Sequence, residues 1–167
     1  GKSVTLTIDA SIQFIAERAL DKAMEDTGAK HASVIVMDPK TGEILAMANR
    51  PTYDPNHYNQ GTEEDFKNIA VTNLYEPGST FKPIIASAAL ASGKWKLDQV
   101  YNDKGSFVAN GHVMQNWNGE GYGPVRLIDI LKFSINTGMA EIGTTTGADI
   151  LSKYVRNYGF GSKTGIE

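Results

Sequence analysis

Apolar runs of the kind that form strands lie almost entirely before residue 50 of this chain. A run from Val4 to Ile8 alternates apolar residues with threonines, which predicts a short, half-buried strand. Two further runs, at 33–38 and 43–48, flank a Pro-Lys-Thr-Gly turn and predict a β-hairpin. Three strands make only a small sheet, and little in the rest of the chain would extend it.

Helical patterns account for most of the remaining periodicity. Asp9 is positioned to cap a helix that Gly28 ends, and Ser79–Ser92 has the low charge of a helix that is buried on most sides. The acidic run Glu63–Asp65 is interpreted as a solvated helix start, and residues 98–124 as irregular loops or short strands. This order of elements predicts an α/β (α+β) fold. Further helical patterns lie at 127–131, after Asn136 and at 150–155.

Composition narrows the function classes. The 167 residues carry a net charge of −3 and are 41% hydrophobic and 21% charged, as in ordinary globular proteins. This charge excludes nucleic-acid binding driven by bulk positive charge. The absence of cysteine excludes disulfide scaffolds and Cys-based zinc sites. The three histidines, His31, His57 and His112, show no metal-ligand spacing, so we expect no metal site and no cofactor.

Ser79 and Lys82 form a Ser-x-x-Lys pair whose side chains would point the same way on a helix. Pro83 favours a helix start near Ser79, because proline is best tolerated in the first turn. A serine at a helix N-terminus with a basic nitrogen one turn away suits acyl transfer. With ten serines and twelve lysines in the chain, about 0.7 such pairs arise by chance, and N-capping is an alternative role for Ser79.

A second pattern lies 55 residues downstream of Ser79, where Ser134-Ile135-Asn136 separates two helical patterns and is the only Ser-x-Asn in the chain. Asn136 could cap the following helix, a role that is compatible with a functional one. The pair Ser79 and Lys82, followed by Ser134 and Asn136, resembles the first two signature motifs of the penicillin-binding proteins and serine β-lactamases.

The resemblance extends along the whole chain. Tyr75–Pro83 is similar to the nucleophile segment of the high-molecular-weight penicillin-binding proteins, and Asp38–Met47 resembles their first hairpin. Gln115–Trp117 resembles the segment that puts an aromatic ring on the cleft wall. The chain is therefore identified as a member of the class B, monofunctional transpeptidases. That family implies helices packed on the edge of an antiparallel sheet, together with a mainly helical subdomain.

The resemblance implies a peptidoglycan D,D-transpeptidase. Ser79 would attack the D-Ala–D-Ala carbonyl of a stem peptide, forming an acyl-enzyme that the amine of a neighbouring stem resolves, and β-lactams would acylate the same serine. Lys82 would accept the Ser79 proton, Ser134 would relay it to the leaving nitrogen, and Asn136 would bind the substrate amide. Trp117 either lines the cleft or is a plain packing aromatic.

Lys163-Thr164-Gly165 spells the third signature of the family but lies only 29 residues after Ser134, with no strand-like run before it. We therefore do not assign it as the third motif. Residues 1–167 are expected to be an N-terminal portion of one transpeptidase domain, with an incomplete sheet and little activity alone. By the same resemblance, the protein would lie on the outer face of the bacterial cytoplasmic membrane, anchored by an N-terminal helix absent from this chain and working with membrane-bound cell-wall synthesis partners.

Two alternatives stay open. The sequence Ser-Thr-Phe-Lys also occurs in class D β-lactamases and related β-lactam sensors, although these carry a hydrophobic residue where Asn136 lies. A non-catalytic scaffold module with the same fold is the second alternative. Turnover of a β-lactam and labelling by a penicillin would discriminate among the three.

Overall fold

The structure, a computed structural model, describes residues 2–166. Its contacts divide the chain into two compact units, one up to Tyr75 and one from Glu76 onward. Each unit combines helices with short antiparallel strands, so the α/β class predicted from the sequence is confirmed. Among the described residues, no helix is both long and apolar enough to cross a membrane.

The first unit consists of a helix beside a β-hairpin, followed by short turns. Helix α1 (Ala10–Thr27) begins where the Asp9 carboxylate accepts hydrogen bonds from two backbone N–H groups, and it ends at Gly28, whose φ is 67°. Strands β1 (Ala32–Met37) and β2 (Ile44–Arg50) pair antiparallel, as predicted. A single helical turn, α2 (Ile69–Thr72), follows a 3₁₀ segment at Pro55–Gln60.

Helix α1 contacts β2 through small side chains and one amide. Ala16 and Leu20 of the helix are buried, as are Ala46 and Ala48 of the strand. The Gln13 side chain donates to the backbone oxygen of Met47 at 3.1 Å and accepts from its N–H at 2.9 Å. This pair of bonds aligns the helix with the strand.

The predicted strand from Val4 to Ile8 is wrong. The segment has no regular structure, and Val4 is 79% exposed. It meets β2 through the Thr7 hydroxyl, which donates to the backbone oxygen of Ile44, rather than through a strand ladder. Alternating apolar residues form a strand only where a neighbouring backbone and a core receive them.

The helix start predicted at Glu63–Asp65 is also wrong. These residues form a turn in which the Asp65 carboxylate accepts hydrogen bonds from the N–H and the hydroxyl of Thr62. An acidic side chain can close a tight turn by this bond as readily as it can begin a helix.

The second unit is mainly helical. Its strands form two separate antiparallel pairs, β3 (Val100–Asp103) with β6 (Gly123–Arg126) and β4 (Ser106–Ala109) with β5 (His112–Gln115). All but the end of β6 lie in the stretch 98–124 that was predicted as loops or short strands. Among residues 148–166 the structure contains no strand. The helices are α3 (Lys82–Ala91), α4 (Leu127–Lys132), α5 (Asn136–Thr146) and α6 (Ala148–Asn157).

The core of this unit lies between α3, α4 and α5. Ile130, Ile135 and Ile142 are almost completely buried there. Gly138 lets α5 approach α4 closely, because a Cβ at this position would lie 2.8 Å from Cδ1 of Ile130. This close packing fixes the start of α5 relative to α4.

Candidate active site

Ser79 lies in a 3₁₀ turn, Gly78–Phe81, that leads directly into α3. The α-helix proper begins at Lys82, with Pro83 in its first turn, slightly later than predicted. The exposed Ser79 hydroxyl does not cap this helix and is instead hydrogen-bonded to the Ser134 hydroxyl at 2.8 Å. As the second residue of the turn, Ser79 also has a backbone N–H without an intrahelical acceptor.

Lys82 Nζ makes three hydrogen bonds, all to the Ser-x-Asn segment. It lies 2.7 Å from the backbone oxygen of Ser134, 2.9 Å from Ser134 Oγ and 2.8 Å from Asn136 Oδ1. Ser134 Oγ therefore lies between Lys82 Nζ and Ser79 Oγ, in hydrogen-bond contact with both. The structure brings together the four residues that the two sequence patterns singled out.

The chemistry of these partners defines what Lys82 can do. The Ser134 carbonyl and the Asn136 side-chain oxygen can only accept, so each takes one N–H from Lys82. Ser134 Oγ can either accept or donate, and it is the one partner that a lysine lone pair can face. A neutral Lys82 therefore fits all three contacts, with its lone pair directed at the Ser134 hydroxyl.

The environment shifts the protonation equilibrium of Lys82 toward this neutral form. Burial lowers the pKa of Lys82, because a half-buried ammonium group loses hydration. Among residues 2–166, no carboxylate lies within ion-pair distance of Lys82 Nζ to offset that loss.

Ser134 adopts an unusual backbone conformation. Its φ of 54° lies in the left-handed region, which non-glycine residues seldom occupy. The residue joins α4 to α5, and in this conformation its carbonyl oxygen and its hydroxyl both contact Lys82. Such strain is typical of functional sites.

Asn136 is the first residue of α5, and its side chain does not cap the helix. Its Nδ2 donates to the backbone oxygen of Gln115 at 3.0 Å while its Oδ1 accepts from Lys82. One of the two amide hydrogens is left for another acceptor. A groove of about 410 Å³ opens beside Lys82 and Asn136, and much of its lining is apolar, including Ile85, Met114, Met139 and Leu151.

Two other motif residues lie at the surface. Trp117 is 79% exposed, so it is not a packing aromatic of the core. Lys163 is exposed in an irregular segment and forms no hydrogen bond to Ser134 in the part of the chain that the structure describes. That Trp117 lines a cleft remains a prediction.

The site also includes a buried polar cluster that sequence reasoning missed. Asp103, Asn116 and Thr137 are 3%, 4% and 0% exposed and are hydrogen-bonded to one another directly behind Asn136. Asp and Asn in a glycine-rich stretch are typical of turns, so nothing local signalled their burial. In the structure, the backbone of Gly121 passes so close to this cluster that a Cβ there would lie 2.7 Å from the backbone oxygen of Asp103.

Comparisons with known proteins agree with this geometry. Residues 32–167 match the model of the penicillin binding protein transpeptidase domain. The chain is 39% identical to Stage V sporulation protein D of Bacillus subtilis, over all of this chain and 26% of that protein. It is 36% identical to the probable peptidoglycan D,D-transpeptidase PenA of Neisseria gonorrhoeae, over 96% of this chain and 27% of the relative.

A solved structure shows the same fold. The crystal structure of a peptidoglycan glycosyltransferase from Burkholderia ambifaria superposes with a TM-score of 0.84 at 28% identity, covering 97% of this chain and 47% of that one. The chain thus spans about a quarter of the length of the curated relatives it matches. It belongs to the family of penicillin-binding protein transpeptidase domains, as its resemblance to the class B members predicted.

Proposed function

We propose that this chain carries the nucleophile half of a peptidoglycan D,D-transpeptidase, which cross-links the cell wall through an acyl-enzyme on Ser79. The observation that carries the proposal is the contact chain from Ser79 Oγ through Ser134 Oγ to Lys82 Nζ. The names of the relatives, which include peptidoglycan D,D-transpeptidases, support the same reaction.

Acylation begins with proton transfer along that chain. The Ser79 proton passes to Ser134 Oγ, and the Ser134 proton passes to the lone pair of neutral Lys82. Ser79 Oγ attacks the carbonyl carbon of the D-Ala–D-Ala bond, and the backbone N–H of Ser79 donates to the developing oxyanion. The C–N bond then breaks, and the departing D-Ala nitrogen receives its proton from Lys82 through Ser134.

The second half of the reaction reverses the direction of the relay. The amine of a neighbouring stem peptide attacks the acyl carbon and gives up a proton through Ser134 to Lys82. The bond to Ser79 Oγ breaks, and that oxygen recovers the proton. Asn136 is proposed to hold the substrate with its remaining amide hydrogen, and a β-lactam would enter the same path and stay bound to Ser79.

Location and partners follow from the proposed reaction. Stem peptides are present outside the cytoplasmic membrane, so we place the protein at the outer face of that membrane and propose that it is anchored there. Membrane-bound enzymes of cell-wall synthesis are the proposed partners.

Labelling by a fluorescent penicillin tests the proposal. The full-length protein should be labelled, Ser79→Ala should not, and Ser162→Ala, the matched control at an exposed serine, should label like wild type. Failure of the wild type to label would favour a non-catalytic scaffold.

Turnover separates the transpeptidase from the hydrolytic alternative. The full-length protein should hydrolyse nitrocefin only slowly, because a stable acyl-enzyme blocks further turnover. Rapid hydrolysis would replace the transpeptidase assignment with a β-lactamase.

A further inference from the structure

We propose that Asp103 is a positioning residue for this site: through Asn116 and Thr137, it holds the N-terminus of α5, and thereby Ser134 and Asn136, against Lys82. The inference rests on the proposed function, because it concerns the acylation of Ser79. Asp103 contacts none of the reacting groups and acts through the two residues beside it.

The orientation of the Asn116 amide is fixed by partners of unambiguous polarity. Its Nδ2 donates to Asp103 Oδ2 at 2.7 Å and to the backbone oxygen of Glu120 at 2.8 Å. Its Oδ1 accepts from the backbone N–H groups of Asn136 at 3.0 Å and Thr137 at 3.3 Å. A flipped amide would face acceptors with its oxygen and donors with its nitrogen, so only one orientation is possible.

The Asn116 amide oxygen caps the N-terminus of α5. The N-cap residue of α5 is Ile135, whose side chain cannot accept a hydrogen bond, and the first backbone N–H groups of α5 would otherwise be unpaired. Asn116 Oδ1 accepts from two of them, although it lies twenty residues earlier in the chain. The position of Asn136 is therefore tied to Asn116.

Asp103 determines the position of Asn116 in turn. Its carboxylate accepts four hydrogen bonds, from the backbone N–H groups of Gly105 and Tyr122 and from the side chains of Asn116 and Thr137. Burial raises the pKa of this carboxyl group, but the four hydrogen bonds outweigh burial and hold the pKa below its usual value. An ionised group accepts these bonds more strongly than a neutral amide or acid would.

Thr137 closes the cluster from α5 itself. Its hydroxyl lies 2.6 Å from Asp103 Oδ1 and 3.2 Å from Asn116 Oδ1. The residue follows Asn136 directly, so the carboxylate holds the first turn of α5 at two points, by the Thr137 side chain and by the Asn116 amide.

The test compares two buried threonines of the same helix. Thr137→Val removes the hydroxyl that meets Asp103, whereas Thr146→Val removes a hydroxyl that donates to the Ile142 carbonyl far along α5. Both positions are at most 3% exposed, so each substitution replaces a buried hydroxyl with a methyl group of similar size. The readout is the acylation rate constant of the full-length protein with fluorescent penicillin, together with the labelled amplitude.

A positioning role lowers the rate constant, and a purely structural role lowers only the amplitude, since unfolded molecules do not label. We expect Thr137→Val to slow acylation about tenfold or more at full amplitude, because small misplacements of reacting groups are costly. Thr137→Ser, which keeps the hydroxyl, should restore the rate to within about threefold of wild type. Thr146→Val should keep the wild-type rate constant.

Equal rate constants for Thr137→Val, Thr146→Val and wild type would overturn the inference and leave the proposed function intact. An unlabelled wild type would instead overturn the proposed function. If Thr137→Val is too unstable to assay, Asp103→Asn serves in its place, because its amide nitrogen must face at least one backbone donor. A wild-type rate constant in that variant would contradict the inference equally.

Discussion

Replacement of Lys82 is the sharpest probe of the proposed chemistry. Lys82→Ala removes the basic nitrogen that is hydrogen-bonded to Ser134 Oγ. Among residues 2–166, the other side chain hydrogen-bonded to that oxygen is Ser79. Loss of a general base or proton relay typically costs 10²–10⁴ in rate, which corresponds to about 2.7–5.4 kcal/mol in the acylation barrier. Stability should change far less, by about 1 kcal/mol, because water can reach the half-buried partners through the adjoining groove.

Two companion variants separate charge from proton transfer. Lys82→Arg keeps a cation with several donors but cannot deprotonate, so it should be almost as slow as Lys82→Ala. Lys94→Ala removes an exposed lysine of the same unit and should acylate at the wild-type rate. The assay is the acylation rate constant of each full-length variant with fluorescent penicillin, with the unfolding midpoint measured in parallel.

The outcome is decided by the rate. Acylation of Lys82→Ala within about threefold of wild type would remove Lys82 from the chemistry, since that is less than about 1 kcal/mol of barrier. A fast Lys82→Arg variant would show that the positive charge, rather than the lone pair, matters at this position.

Three further outcomes follow from the same structure. In the proposed mechanism Lys82 reacts in its neutral form, and burial lowers its pKa. The acylation rate should therefore rise with pH and level off below 10.5, the ordinary lysine value, and a rate that does not change with pH would contradict this. The pKa of Asp103 is depressed in the folded state, so its contribution to the free energy of unfolding is present above pH 3.8 and is lost as pH falls through the lower folded pKa. In Asp103→Asn, the free energy of unfolding should therefore fall less steeply at acid pH than in wild type, and an equally steep fall would refute this. Gly138→Ala should lower the free energy of unfolding, measured by chemical denaturation, by about 1–3 kcal/mol, because the added Cβ would meet Ile130. Gly143→Ala in the same helix adds a Cβ that meets nothing within 4 Å and should be neutral or stabilising; equal effects of the two variants would show that the close approach is unimportant.

Local sequence signals were sufficient where the residues that begin and end an element lie next to it in the sequence. Helix α1 was predicted because Asp9 and Gly28 are both within one turn of its ends, and the cap geometry is as expected. The run from Val4 to Ile8 failed for the opposite reason. Its alternation states which side chains could be buried, but not whether a neighbouring strand is present to receive them.

The candidate site likewise has features that sequence patterns indicate and features that only the fold produces. Ser79 and Lys82 are one helical turn apart, so their proximity follows from periodicity alone. The Ser-x-Asn pattern pointed to Ser134 and Asn136, and the resemblance joined the two patterns into one site. The route between Ser79 and Lys82 through the Ser134 hydroxyl depends on the positive φ of Ser134, which no sequence pattern indicates. Asp103 was missed because its burial is produced by contacts with residues up to 34 positions away.

The identity of the acylated residue tests the central claim most directly. The full-length protein would be incubated with penicillin, digested and mapped by mass spectrometry. We expect a single adduct of the intact antibiotic on the peptide that contains Ser79, and none in the Ser79→Ala variant. An adduct on Ser134 or Ser162, or one that persists in Ser79→Ala, would contradict it.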